Sequence, residues 1–144
     1  MLNILRLFLS IPLGLIVMGA FVWVVELIGH KYFPVGAEME AATALMMKQD
    51  PSAREAMTAA LPSVPLEAFV VLLVAWTAGG LTGGWIAARV TPILKVPAAL
   101  SIGFLNALFV ALNFWMIPHP SWMFNPGLAL SIIASFIGGR AAKG

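Results

Sequence analysis

Glu26 and His30 stand four residues apart in ELIGHKYFP and so share one face of a helix. The chain's second histidine, His119, lies between two prolines in IPHPSW. A carboxylate near a histidine at a membrane boundary is what a proton relay, a quinone site or a metal site uses, and two histidines can ligate a haem axially. Asn106 and Asn113, seven apart in GFLNALFVALNFW, face one way on a helix and bring amides to the same region. The candidate ligand or proton site is therefore Glu26, His30, Asn113 and His119. The alternative is structural: Glu26 hydrated or locally paired at the interface, histidines decorating helix ends, and asparagines bonding between helices for about 1 kcal/mol each. No metal is expected, because the short ligand spacings of metal sites are missing and the chain has no cysteine. No cofactor is assigned. No nucleophile, base and orienting group can be placed together, so an enzyme is not expected.

The elements that position these residues are membrane spans. Of the 144 residues 61% are hydrophobic and 10% charged, against roughly a quarter charged in a soluble domain. Four apolar windows stand out, at about 7–28, 68–88, 96–117 and 122–139. Each approaches the ~20 residues that cross a ~30 Å hydrocarbon layer. The first is too long for a secretory signal and is followed by no clear cleavage site, so it reads as an uncleaved span. The expected fold is an all-α membrane protein, an antiparallel four-helix transmembrane bundle in a single domain with a short helical extracytoplasmic loop at 29–65.

All six carboxylates, Glu26, Glu38, Glu40, Asp50, Glu55 and Glu67, lie at or between the facing ends of the first two spans. Arg6, Arg89, Lys95, Arg140 and Lys143 lie at the opposite ends, against Lys31, Lys48 and Arg54 on the loop side. That five to three split places both termini and the 89–96 turn in the cytoplasm by the positive-inside rule. The basic residues mark topology and form no nucleic-acid footprint. Trp23, Trp115 and Trp122 read as anchors at the outer boundary and Trp85 at the inner.

The 29–65 segment reads as two short helices, with Asp50 capping the second and Pro51 at its first position. Met39, Met46 and Met47 on one, with Met57 and Leu61 on the other, give apolar faces that either rest on the bilayer surface or cap the bundle.

The glycines of AGGLTGGWIAAR have neither the spacing nor the strand-to-helix context of a phosphate loop. They form rows four residues apart: Ala75, Gly79, Gly83 and Ala87, with Gly80, Gly84 and Ala88 beside them. Ala99, Gly103, Ala107 and Ala111 repeat the row on the third span, and Gly127, Ser131, Ser135 and Gly139 on the fourth. Rows of small residues let helix backbones approach where lipid gives them no hydrophobic reason to associate. These residues are expected to pack helices, within the chain or between subunits.

Together ELIGHKYFP, AWTAGGLTGGWIAARV, NFWMIPHPSW and the terminal IGGRAA resemble a family of small bacterial membrane proteins with four spans and no assigned activity. The resemblance implies a bacterial inner-membrane location and transfers no catalytic residue. The expected function is a non-enzymatic packing or accessory subunit of a homo-oligomer or larger membrane complex, its partners being lipid, itself or other membrane subunits. The alternatives are a small carrier or channel with an outward polar cavity, and a binder of haem, quinone or lipid. Transport is disfavoured by the inner halves of the spans, which offer little polarity beyond Asn106, Thr77 and Thr82.

Overall fold

A computed structural model describes residues 2–142; Lys143, part of the charge tally, lies outside them. The described chain is helical: α1 Leu2–Tyr32, α2 Ala37–Met47, α3 Ala53–Ala60, α4 Leu66–Val90, α5 Lys95–Met116 and α6 Phe124–Ala141. Short 3₁₀ turns at Leu61–Ser63 and Ser121–Met123 lead into α4 and α6. Helices α1, α4, α5 and α6 are long and apolar enough to cross a membrane. They contain 31, 25, 22 and 18 residues; α1 and α4 overrun their apolar windows, because backbone hydrogen bonding continues past the hydrocarbon edge, while α5 and α6 equal theirs in length. Large side chains such as Phe8, Ile16, Leu108 and Ile133 point outward, as lipid-facing residues do.

Helix α4 is the hub, and its small residues explain why. Gly79 and Gly83 face α1: a methyl group at Gly83 would stand 2.7 Å from the Gly14 carbonyl oxygen, and one at Gly14 would stand 2.8 Å from that of Gly83. Gly80 and Gly84 face α6, where the same addition meets the Ser131 and Ser135 carbonyl oxygens at 2.9 and 2.7 Å. Across that seam the Ser135 hydroxyl donates to the Gly80 carbonyl at 2.7 Å. Helix α5 closes on α6 with Gly103 against Ser135 and Ile132, and with Ala99 against Gly139. Of the residues in the three small rows, all but Ala111 are buried within the single chain.

Helix α1 meets the bundle differently. Its row is Ser10, Gly14 and Met18, all buried, and Leu7, Ile11 and Leu15 pack with Ala87, Ala98 and Ile102 of α4 and α5. Pro12 lies inside this first half of α1, removing one backbone donor from the helix ladder. The Ser10 hydroxyl bonds back to the Leu7 carbonyl at 2.6 Å.

One end of the bundle carries Arg89, Lys95 and Arg140; it is called the basic end below. There Thr91 to Leu94 turn the chain from α4 to α5, with Leu94 in the left-handed region at φ 53° and the Thr91 hydroxyl donating to the Ile93 carbonyl at 2.6 Å. Lys95 Nζ donates to the Ala142 carbonyl beyond the end of α6 at 3.3 Å, satisfying an acceptor that the helix leaves open.

The other end is covered by α2 and α3. They pack on each other: Met39 and Met57 are buried with Val35, Val64 and Ile117, while Met47 is 78% exposed. Arg54 Nη1 ties the cap to the bundle by donating to the Trp115 carbonyl in the last turn of α5 at 2.6 Å. Helix α3 starts two residues later than the sequence suggests. Asp50 accepts from the Ser52 hydroxyl at 2.6 Å and from its N–H at 2.9 Å, which builds a turn over Pro51 before Ala53 begins the helix. Those two bonds hold the Asp50 carboxyl below the usual carboxylate range.

The seams give a contrast within one residue type. A methyl at Gly138 would fall on the Leu81 carbonyl and the Trp85 amide of α4, whereas one at Gly19 meets nothing within 4 Å. Gly138→Ala should destabilise the bundle by about 1–3 kcal/mol through overpacking against immovable backbone. Gly19→Ala should be neutral or stabilising by at most about 1 kcal/mol. Reversible unfolding of both variants in detergent micelles checks the difference.

Candidate functional site

Glu26 and Asn113 line one groove. Helices α1 and α5 both rest on α4, and towards the cap they leave between them a cavity of about 530 Å³ bordered by Leu15, Gly19, Trp23, Glu26, Asn106 and Asn113 among others. Trp76 of α4 is a further lining residue. The size falls in the range of small-molecule sites, and the mixture of apolar walls with few polar groups is typical of them.

The two asparagines have different lives. Asn106 is 2% exposed, and its Nδ2 donates to the Trp76 carbonyl at 2.9 Å, joining α5 to α4 as expected of a membrane amide. Asn113 Oδ1 is buried and accepts no hydrogen bond. In a medium that cannot supply one, an unpaired buried carbonyl costs on the order of 1–3 kcal/mol. Glu26, an exposed residue, has no hydrogen-bond or ion-pair partner among the described residues. The groove is therefore lined by a carboxyl group and an amide that the fold leaves without partners.

A second groove between α1 and α5, at the basic end, shows that size alone is not the argument. It measures about 560 Å³, but its lining is apolar except for Ser101, whose hydroxyl already donates to the Pro97 carbonyl at 3.0 Å. Its one polar side chain is not short of a partner.

His30 lies one turn beyond Glu26, and the two share a small cavity of about 150 Å³ with Gly29, Phe33, Val71 and others. His30 also borders a larger cavity of about 450 Å³ under the cap, lined by Met39, Met46 and Met57 with Glu40 and Thr43. Glu26 thus borders the groove and the small cavity, and His30 borders the small cavity and the space under the cap.

His119 does not join them. Its ring packs on Phe114 at 4.8 Å between centroids and on Trp76 at 6.1 Å, and it borders neither cavity that holds Glu26. His119 Nδ1–H donates to the Ile117 carbonyl at 2.8 Å, fixing the tautomer. Burial pushes its pKa below the ordinary 6.5, outweighing that hydrogen bond, which favours the charged form. Structurally it is an aromatic member of the turn between α5 and α6.

Among the described residues, no group of three or more His, Asp or Glu side chains could hold a metal ion. Trp76 is the residue that the sequence reading overlooked. It is 5% exposed and packs with Val110 and Met123. Its position beside the Ala75 row, one turn before Gly80, was the available signal. No known family matches the chain, and neither do the curated proteins or the solved structures.

His119 yields a pH dependence with a defined sign. A histidine whose pKa is lowered on folding binds its proton more weakly in the native state, so stability is full above about pH 6.5 and falls as pH drops below it. His119→Asn keeps a side-chain donor for the Ile117 carbonyl but does not titrate. Between about pH 8 and about pH 5 its melting temperature should fall less steeply than that of the parent protein.

Proposed function

We propose that the protein is a non-enzymatic binding protein of the lipid phase, holding one membrane-soluble amphiphile in the groove between α1 and α5. The observation that carries this reading is a groove of ligand size whose walls are mainly apolar, with Glu26 and Asn113 at its polar end and neither side chain given a partner by the fold. An amphiphile entering from the bilayer would lay its chain along Leu15, Val22 and Phe109 and bring its polar end to Asn113 and Glu26. The accessory-subunit reading draws less support, since the small-residue faces it relies on are occupied inside the chain. A carrier or channel would need the polar lining to continue towards the basic end, where the corresponding groove is apolar.

The setting belongs to the same proposal: a multi-pass protein of a bacterial cytoplasmic membrane, with the basic end and both termini inside. The bias of Arg and Lys to that end supports the orientation, and the resemblance to small bacterial four-span proteins supports the location.

Native mass measurement from mild detergent or nanodiscs tests the reading. The expected result is a monomer carrying one retained amphiphile, which Gly19→Leu displaces by filling the groove from a position where an added Cβ meets nothing within 4 Å. A discrete homo-oligomer or a co-purified subunit, with Gly19→Leu changing no small-molecule retention, would return the function to that of an accessory subunit.

A further inference from the structure

The cap holds a chemistry that the groove does not use. Four of the chain's eight methionines, Met39, Met46, Met47 and Met57, fall within residues 39–57. Met39 and Met46 stand seven apart and so share one face of α2, while Met57 comes from α3. These three border the space of about 450 Å³ under the cap, together with His30 and Glu40. Independently of the groove, we infer that this space is a binding site for one soft monovalent metal ion, Cu(I) or its analogue Ag(I), held by the three thioether sulfurs with the His30 imidazole at the entrance.

The ligand type selects the ion. Thioether sulfur is a good donor to Cu(I), whereas magnesium and calcium take oxygen, and zinc takes thiolate, imidazole or carboxylate. No group of three His, Asp or Glu side chains among the described residues offers a harder ion a rival set. Met39 and Met57 are buried in one cluster with Ala42 and Ala60, and Met46 packs against it, so the largest buried side chains of the cap are thioethers. Each is unbranched with three rotatable bonds, which lets its sulfur turn from apolar contact into the adjoining space. The same space reaches the exposed His30, and through it an ion enters from the side. Charge agrees with this assignment: no Lys or Arg borders the space, and the Glu40 carboxylate offsets a single positive charge. Thr43 takes no part, since its hydroxyl already donates to the Met39 carbonyl at 2.8 Å.

The test titrates the full chain in nanodiscs with Ag(I), and with Cu(I) under a reductant against a chromogenic Cu(I) chelator. The wild type should bind one ion of either kind per chain and leave Zn(II) unbound. Leucine conserves the volume of methionine, so Met39→Leu, Met46→Leu and Met57→Leu should melt close to the parent. Each should nevertheless weaken Ag(I) binding at least about tenfold, the loss that removing even an outer-shell partner of a metal brings. Met47→Leu, on the exposed face, should bind as the parent does. Absence of stoichiometric Ag(I) or Cu(I) on the wild type would overturn the site. So would binding undiminished in all three variants, or weakened equally by Met47→Leu.

Discussion

Direct contact between helix backbones is the constraint on which the rest of this structure depends. Lipid tails are as apolar as leucine side chains, so hydrophobic burial cannot hold the helices together, and what remains is close packing with a few hydrogen bonds. Helix α4 meets that need on two sides at once. Gly79 and Gly83 admit α1, and Gly80 and Gly84 admit α6, each pair lying against carbonyl groups of the neighbour. At such separations any side chain beyond hydrogen would hold the backbones apart. The bonds from Ser135 to Gly80 and from Asn106 to Trp76 then fix the register of α6 and α5 on the same hub.

The groove is a consequence of that economy. Because α1 and α5 are each fastened to α4, they need not be fastened to each other along their whole length, and near the cap they are not. Trp76, projecting from the hub, borders this space and also packs on Phe114 and His119. One indole thereby separates the acidic, lipid-side groove from the aromatic turn at His119. Both features face the cap, yet they are different structures with different chemistry.

Much of the framework could be read from residue order alone. Four apolar windows matched the four long helices, and the cap was foreseen as two short helices. What could not be read was which helix each small row would meet, since a row of glycines specifies closeness and not a partner. Nor could sequence separate Asn106 from Asn113: both are amides seven apart on one span, and only the position of the Trp76 carbonyl decides that one is satisfied and the other is not. His119 falls at the same end as Glu26, but end-to-end position says nothing about which side of an indole a ring occupies. Gly14 carried a legible signal, four residues after Ser10, that was hidden by the uniformly large residues around it.

The graded helix lengths have one more consequence. At 1.5 Å per residue, α1 extends about 46 Å and α6 about 27 Å, against a hydrocarbon layer of roughly 30 Å. The longest helix must therefore lean or overhang where the shortest stands nearly upright. Gly14 against Gly83 and Gly29 against Val71 hold α1 to α4 along most of its length, so the excess length stands as an overhang at the cap end. A thinner bilayer leaves more of α1 standing clear of the hydrocarbon and a thicker one less, so the depth at which Glu26 lies becomes a quantity set partly by the membrane itself.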